Sequence, residues 1–427
     1  MRKTSAAFAI TFAYMLHLPL AAWAGDPLPR AKPEEVGMST ERLALIGKAV
    51  NAEIAAGQLP GAVVGIARRG KLVYFEAFGF RDKAAGEPMT TDAIFGIASM
   101  TKPMVAVAAL QLYDQGKLLM DDSLAKYFSK FADMKVAVLD AKKENIVELV
   151  PARSITILDL FRHTSGLSYG SSGTTVLHKM YPASSNIASE TMTGAELLDR
   201  LSSLPLPYQP GTVWEYGLGL DVLGLVIESI TEQSLGQYLQ DNVWTPLGMV
   251  DTGFIIPADK VARYARELPN DPTTGRPQSA PSRTEKRKFE CGGGCAVSTA
   301  GDYLRFAFML VNKGRYGDAR ILSRKTVEYM LSNQLGPDVR NQVGITSPTQ
   351  HDYGFGLSVA VRTTPGIVGG SGSVGEFSWA GAYGTWWWGD PREELAVVWM
   401  VNTPGSPLIR RKLMQVIRAL VNQAIID

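Results

Sequence analysis

Hydrophobic and polar residues follow two different periods near the start of the chain. After Ser39 and Thr40, apolar positions recur every three or four residues to about residue 56, which predicts an amphipathic helix capped by one of these hydroxyls. The next two runs, 62–68 and 71–78, are rich in β-branched and aromatic residues and are separated only by Arg69-Gly70. This spacing predicts a β-hairpin.

The middle of the chain, about residues 117–350, is predicted to be irregular and rich in helices. The apolar runs at 104–112, 218–230 and 302–312 each predict a buried helix. A further helix opens near Ser154 and ends at His163-Thr164-Ser165-Gly166-Leu167. Residues 168–192 are rich in Gly, Ser and Thr, and they predict a long loop of the kind that often covers a site.

Strand patterns return near the end of the chain, at 353–362, 377–388 and 394–401, before a closing helix from Ser406 to Ile426. Strands at both chain ends with helices between them predict an α/β (α+β) fold, in which one antiparallel sheet is flanked by the terminal helices and a helical region is inserted. The predicted division is a sheet domain of residues 25–95 and 350–427 and a mainly helical domain of residues 96–349.

The first 24 residues have the layout of a secretory signal. Arg2 and Lys3 precede an apolar stretch, and Ala22-Trp23-Ala24 matches a small-x-small cleavage site. An uncleaved anchor is the alternative, but the apolar stretch is short for a membrane span and polar residues follow at once. We therefore expect an exported protein, periplasmic or secreted, with no stable membrane insertion after cleavage.

Composition narrows the choice of partners. Of the 427 residues, 46% are hydrophobic, which is ample for a large core. Without Arg2 and Lys3, 41 basic residues balance 41 acidic ones, so charge argues against nucleic acid as a partner. The oligomeric state stays open.

The two cysteines, Cys291 and Cys295, enclose three glycines. Residues four apart are too distant for a disulfide in an extended strand, so a bond requires the glycines to curl the loop back. The sequence leaves open a disulfide or two free thiols. Without further clustered ligands, two cysteines do not predict a metal site.

The strongest candidate for chemistry is the stretch Ser99-Met100-Thr101-Lys102. On a helix, residues three apart share a face, so the Ser99 hydroxyl and the Lys102 amine are expected to lie side by side. The apolar run that follows would bury the lysine and favour its neutral form, which can accept a proton from the serine. S-x-x-K alone is a weak pattern, and an ordinary capped helix with a surface lysine is the alternative.

The ordered motifs of the chain resemble the family VIII carboxylesterases, which belong to the superfamily of serine β-lactamases and penicillin-binding proteins and look like class C β-lactamases. The resemblance runs over most of the chain after residue 24. It is carried by Ser99-Met100-Thr101-Lys102, residues 155–167, Pro210-Gly211-Thr212-Val213-Trp214-Glu215-Tyr216, Pro246-Leu247-Gly248-Met249, Val297-Ser298-Thr299-Ala300 and Trp379-Ala380-Gly381.

The resemblance implies a β-lactamase/D,D-peptidase-like fold and a set of roles. Ser99 would be the acylated nucleophile, Lys102 its proton acceptor, and Tyr216 the second general base. The backbone N–H groups of Ser99 and Ala382 would form an oxyanion hole, with Gly381 allowing close approach of the backbone. No cofactor or metal is expected to take part.

Two departures from class C β-lactamases bear on the substrate. Leu218 stands where they carry the asparagine of Tyr-x-Asn, and Trp379 stands where they carry the lysine of Lys-Thr-Gly. Both changes remove polar groups that would hold a charged amide substrate, and so favour a neutral ester. Tyr169 and Tyr181, on the predicted loop, and Trp379 are the candidates for the walls of the acyl pocket.

A second serine competes for the role of nucleophile. Gly166-Leu167-Ser168-Tyr169-Gly170 matches the G-x-S-x-G elbow of α/β-hydrolases. That motif requires a strand before the serine and a helix after it, whereas here a helix precedes and a Gly/Ser-rich stretch follows. We therefore interpret Ser168 as a loop residue.

The sequence thus predicts an exported serine carboxylesterase that hydrolyses short- to medium-chain acyl esters through an acyl-enzyme on Ser99, with at most weak β-lactam hydrolysis. The alternatives are a class C-like β-lactamase or D,D-peptidase, and a catalytically silent binding module on the same fold. The presence of Ser99, Lys102 and Tyr216 together argues against the silent module. A small-molecule ester is the expected partner.

Overall fold

The computed structural model of the protein describes residues 25–346, 353–366, 370–405 and 407–427. The predicted signal, residues 1–24, and the predicted first residue of the closing helix, Ser406, lie outside the described residues.

Strands from both ends of the chain build one sheet, as the sequence predicted. Its members are β1 (Gly61–Arg68), β2 (Lys71–Asp82), β3 (Glu87–Pro88), β10 (Tyr353–Phe355), β11 (Ala360–Arg362), β12 (Phe377–Ala380), β13 (Trp386–Asp390) and β14 (Leu395–Val401). They pair antiparallel in the order β10-β11-β12-β13-β14-β1-β2-β3. The pairing of β1 with β14, from Ala62 opposite Val401 to Arg68 opposite Leu395, joins the two chain ends.

Two of the predicted strands are each divided. The predicted strand 353–362 is a tight hairpin of β10 and β11, in which Ser358 adopts a positive φ of 75°. The predicted strand 377–388 contains the turn between β12 and β13, in which Gly381 and Gly384 lie. The period-two pattern of apolar residues continues through the first of these turns, from Tyr353 to Val361, so hydrophobicity alone did not reveal it.

The remaining elements form the helical region and the flanking layers. The helices are α1 (Thr40–Ala55), α2 (Thr101–Asp114), α3 (Leu124–Tyr127), α4 (Ile157–Phe161), α5 (Ser185–Thr191), α6 (Gly194–Ser203), α7 (Gly219–Thr231), α8 (Leu235–Leu239), α9 (Ala300–Val311), α10 (Arg324–Met330), α11 (Val343–Thr346) and α12 (Pro407–Asn422). The short strands are β4 (Phe95–Gly96), β5 (Lys135–Leu139), β6 (Ile146–Pro151), β7 (Val297–Ser298), β8 (Arg315–Tyr316) and β9 (Ala319–Arg320), which pair as β4 with β7, β5 with β6 and β8 with β9.

The two faces of the sheet are covered by different parts of the chain. Helices α1 and α12 cover one face, where Ile46 and Ile417 share a buried cluster with Trp386 and Trp388. Trp387 faces the other side, where its ring centroid lies 5.4 Å from that of Tyr303 on α9. Helix α9 therefore packs on the sheet although its residues lie within the range 96–349, and the core runs without a break from the sheet into the helical region.

The segment 168–192, predicted as a loop, is more regular than its composition suggests. It contains helix α5, whose N-terminus is capped by Ser184 accepting a hydrogen bond from the backbone N–H of Ile187. The remainder holds two short 3₁₀ turns, at Gly170–Ser172 and His178–Met180. Serines that lower helix propensity inside a helix act here as a cap, so the composition was misread.

Two general findings apply to the described residues. In the part of the chain that the structure covers, no helix has the length and apolar character needed to cross a bilayer. Within the same residues, no group of three or more His, Cys, Asp or Glu side chains converges in a way that could hold a metal ion.

Candidate active site

Ser99 and Lys102 meet at the start of the central buried helix. Ser99 lies in a 3₁₀ turn, Ala98–Met100, that leads directly into α2. The Lys102 side chain is fully buried, and its Nζ lies 3.3 Å from Ser99 Oγ. The pairing predicted from the three-residue spacing is therefore present, and it places an amine within reach of the serine proton.

Lys102 is held by three further groups. Its Nζ donates hydrogen bonds to the hydroxyl of Tyr169, at 3.3 Å, and to the carbonyl oxygen of Gly293. It also lies 4.4 Å from the ring centroid of Tyr216. Because these contacts surround the amine, its position relative to Ser99 is tightly restricted.

Tyr216 stands at the base of this cluster, in the turn before α7. Its hydroxyl accepts a hydrogen bond from Trp379 Nε1 at 3.3 Å. Its ring packs against His163, with centroids 4.6 Å apart, and stacks with Trp214 at 6.1 Å. The predicted general base thus sits beside Lys102 in an aromatic cage, and its hydroxyl is within reach of the predicted pocket residue Trp379.

His163 belongs to this cage, and sequence reasoning assigned it no role. It adopts a positive φ of 56°, and its Nδ1 accepts the N–H of Gly217 at 3.4 Å, which holds the turn that carries Tyr216. Burial lowers the pKa of His163 well below its ordinary value, and the positive charge of Lys102 lowers it further. The imidazole is therefore neutral at neutral pH.

A second residue that sequence reasoning missed is Asp221, which is buried in the first turn of α7. Its Oδ1 accepts the N–H of Gly293 at 2.8 Å, and its Oδ2 accepts the hydroxyl of Ser185 at 2.7 Å. Ser185 in turn lies 2.6 Å from the Tyr169 hydroxyl. Lys102, Gly293, Asp221, Ser185 and Tyr169 therefore form a closed ring of hydrogen bonds.

The carboxylate of Asp221 and the amine of Lys102 belong to the same ring, and each influences the protonation of its neighbours. Burial raises the pKa of Asp221, while the positive charge of Lys102 acts in the opposite direction. Burial together with Asp221 raises the pKa of Tyr169 well above its ordinary value, so that residue stays a neutral phenol. Asp221 could have been noticed in the sequence, because it is the single carboxylate inside the apolar run 218–227. A buried charge requires a partner, so such a residue indicates a polar contact in the core.

The glycine-rich loop is closed by a disulfide. Cys291 and Cys295 are bonded, with Cα atoms 5.3 Å apart and both side chains fully buried. The open choice between a disulfide and two thiols is therefore resolved. A side chain at Gly293 would lie 2.1 Å from Ser185 Oγ and 2.3 Å from Asp221 Oδ2, so only glycine allows this loop to reach the ring.

These groups open into a cavity of about 530 Å³. Of the residues predicted from the sequence, it is lined by Ser99, Tyr169, Tyr216, Trp379, Gly381 and Ala382. A Cβ at Gly381 would lie 2.4 Å from the carbonyl oxygen of Ile97, so glycine is required where the turn after β12 approaches the nucleophile turn. The N- and C-terminal segments of the chain meet at this contact.

Two predicted pocket residues lie elsewhere, which corrects the prediction. Tyr181 is buried away from the cavity, and its hydroxyl donates to the carbonyl of Pro205 at 3.1 Å. Leu218 is fully buried in the core ahead of α7. Its backbone N–H donates to the carbonyl oxygen of Leu167, and its side chain packs into the main hydrophobic core instead of the cavity that Tyr216 lines.

The competing serine is not placed for catalysis. Ser168 is buried, its Oγ donates to the backbone carbonyl of Tyr169 at 3.2 Å, and it is not among the residues that line the cavity. The segment forms a bridge with Gly217 rather than a strand–turn–helix elbow.

Comparison with known proteins shows the family to which this chain belongs. Residues 46–421 match the model of the family described as Beta-lactamase. The chain belongs to the beta-lactamase family. Within that family it is 32% identical, over 357 residues, to esterase EstB of Burkholderia gladioli, an alignment that covers 81% of this chain and 86% of EstB.

Two further known proteins are similar to this chain. The chain is 27% identical over 419 residues to a putative D-alanyl-D-alanine carboxypeptidase of Escherichia coli O157:H7, covering 89% of this chain and 87% of the relative. Its structure matches that of EstCE1, described as a hydrolase with promiscuous acyltransferase activity, with a TM-score of 0.75 and 26% identity over 89% of this chain and 98% of EstCE1. The predicted β-lactamase-like fold and the resemblance to family VIII esterases are thereby confirmed.

Proposed function

We propose that this protein is a serine carboxylesterase that cleaves short- to medium-chain acyl esters. The observation that carries the proposal is the cluster of Ser99, Lys102 and Tyr216. Ser99 and Tyr216 line the cavity, and Trp379 Nε1 donates to the tyrosine hydroxyl at 3.3 Å. The likeness to EstB and to EstCE1 supports the ester-hydrolysing activity.

The proposed reaction assigns one role to each of these groups. Ser99 Oγ attacks the acyl carbonyl while the neutral form of the Lys102 amine accepts its proton, and the N–H groups of Ser99 and Ala382 stabilise the oxyanion that forms. Tyr216, beside Lys102, delivers its phenolic proton to the departing alcohol and regains one from the protonated Lys102. Water then attacks the acyl-enzyme and gives its proton to the same pair, which returns a proton to Ser99 Oγ as the carboxylic acid leaves.

The walls of the cavity favour an ester over a lactam. Trp379 presents an apolar ring where a lysine would meet a lactam carboxylate, and no side chain from position 218 reaches the cavity to hold an amide. An ester requires neither contact, because its alkoxide leaves readily once the oxyanion is stabilised. The alternative, a β-lactamase or D,D-peptidase, draws support from the Escherichia coli relative.

A comparison of kcat/KM for an ester and for a lactam tests this choice. We expect kcat/KM for 4-nitrophenyl butyrate to exceed that for a chromogenic cephalosporin by about 10²- to 10⁴-fold, because two absent polar contacts each cost about 1–3 kcal/mol. Both values are measured with the same preparation and buffer. Comparable values would contradict the idea that Trp379 and the missing amide determine specificity.

We also propose that the protein is exported to the periplasm or secreted. Support comes from the signal-like residues 1–24 and from the buried disulfide, since such bonds persist in oxidising compartments. Intact-mass measurement after expression of the whole chain in a bacterium should show a chain that begins at Gly25 and lacks two hydrogen atoms. A full-length mass, or free thiols in the native protein, would contradict export or the oxidised loop.

A further inference from the structure

The cavity carries more positive charge than a neutral substrate requires. Arg410 and Arg411, near the start of α12, both line it. The one acidic side chain among the described lining residues is Glu215, whose carboxylate lies 3.4 Å from His178 Nε2 and is only 9% exposed. The two arginines are therefore the charged side chains that a substrate meets where α12 lines the cavity.

Arg411 is not neutralised by a close carboxylate. Within the described ranges, no ion pair with an Asp or Glu oxygen within 4 Å involves its guanidinium. Arg410 donates to the carbonyl oxygen of Ala382, the residue whose N–H completes the proposed oxyanion hole. Burial and the like charge of Arg411 lower the pKa of Arg410, and Asp271 offsets part of this effect. Arg411 is exposed at the mouth of the cavity.

A third arginine adds to the field from behind the same turn. Arg283 is 1% exposed, and its Nη2 contacts the Tyr383 hydroxyl at 3.2 Å and the carbonyl of Gly294 at 3.4 Å. Its Nε and Nη1 atoms have no hydrogen-bond partner among the described residues. Burying a guanidinium without a carboxylate beside it costs free energy. Because the protein around Arg283 has a low dielectric constant, its charge is weakly screened and raises the electrostatic potential in the adjacent cavity.

We propose that the ester substrates of this enzyme carry a carboxylate, and that Arg411 binds it at the mouth of the cavity. A guanidinium matches a carboxylate through two parallel N–H···O bonds, which a neutral ester cannot make. The lysine absent at position 379 would lie on β12, whereas Arg411 lies on the terminal helix, so the two would not hold a carboxylate at the same place. The inference rests on the proposed esterase activity and revises the neutral ester expected from the sequence.

Two substrate pairs test the proposal and locate the charge. On the acyl side, mono-4-nitrophenyl adipate is compared with 4-nitrophenyl hexanoate. On the alcohol side, 4-butyryloxybenzoate is compared with its methyl ester. For each pair, the ratio of kcat/KM for the charged ester to that for the neutral ester is measured in the wild type and in Arg411→Gln, so that intrinsic reactivity cancels between the enzymes.

We expect Arg411→Gln to lower this ratio about tenfold in at least one pair, while kcat/KM for the neutral ester stays within about twofold. The matched control is Lys412→Gln, which removes the same charge from the next residue of α12. Lys412 pairs with Glu53 and does not line the cavity, so its ratio should equal that of the wild type.

The outcomes separate the two proposals. An unchanged ratio in Arg411→Gln, with the neutral esters still hydrolysed, would overturn the carboxylate site and leave the esterase intact. An equal fall in Lys412→Gln would also overturn it, since net charge rather than a site would then explain the preference. Absence of turnover for every ester in the wild type would overturn the esterase proposal and the inference with it.

Discussion

Replacing Ser99 with alanine is expected to lower ester hydrolysis by at least about 10⁴-fold and to abolish covalent labelling by a fluorophosphonate. The Ser99 hydroxyl lies 3.3 Å from Lys102 Nζ, and its removal leaves no serine to carry the acyl chain beside that amine; the Tyr169 hydroxyl, at the same distance, is hydrogen-bonded to Ser185 and stays a neutral phenol. The exchange removes one partly exposed oxygen, so the fold should be retained. The measurement is kcat for 4-nitrophenyl butyrate together with the mass of the labelled protein.

The matched control is Ser168→Ala, at the serine that fits the α/β-hydrolase motif. Among the described residues its Oγ bonds to the Tyr169 carbonyl alone, so the variant should keep most of its activity and lose about 1 kcal/mol of unfolding free energy. A dead Ser168→Ala with an active Ser99→Ala would disprove the assignment of the nucleophile.

Tyr216→Phe and Lys102→Met are each expected to lower kcat by about 10²- to 10⁴-fold, because each removes a group that moves protons during acylation and deacylation. The two groups act as a unit, so the double variant should lose little more than the worse single one. Tyr216→Phe keeps the ring that packs on His163 and Lys102, so packing is preserved. Thermal unfolding of each variant separates loss of structure from loss of chemistry.

Tyr181→Phe is the control for the tyrosine, since its hydroxyl is also hydrogen-bonded but lies away from the cavity. It should leave kcat within about twofold of the wild type. His163 should not limit the rate near neutral pH, because burial and the charge of Lys102 hold its pKa well below the ordinary value and the imidazole is already neutral there. Undiminished activity in Tyr216→Phe would remove Tyr216 from the mechanism.

Local patterns predicted most elements of the fold because the information they need is local. The helix capped by Ser39, the hairpin at Arg69-Gly70 and the closing helix follow from periodicity and capping residues that neighbours in sequence supply. The prediction was wrong where a turn keeps the strand period, as at Ser358, and where serines act as a cap, as at Ser184.

Part of the site was equally local. Ser99 and Lys102 are three residues apart, so the start of one helix is enough to bring them together. The positions of Tyr216, Trp379 and Ala382 came only from the resemblance of ordered motifs. The same resemblance placed Leu218 in the pocket, because the spacing from Tyr216 does not reveal that the turn before α7 directs this side chain into the core.

The sequence by itself determined the sheet built from both chain ends, the helix that presents the nucleophile, and the residue types for acyl transfer. Tertiary structure alone decided which groups, distant in sequence, surround the site residues. Gly293 accepts a hydrogen bond from Lys102, and Asp221 holds Gly293, both from segments more than 100 residues away from Lys102, and Arg410 reaches Ala382 from the last helix. Buried charge must find a partner wherever the fold supplies one, and that partner is fixed by packing between segments rather than by any pattern within one.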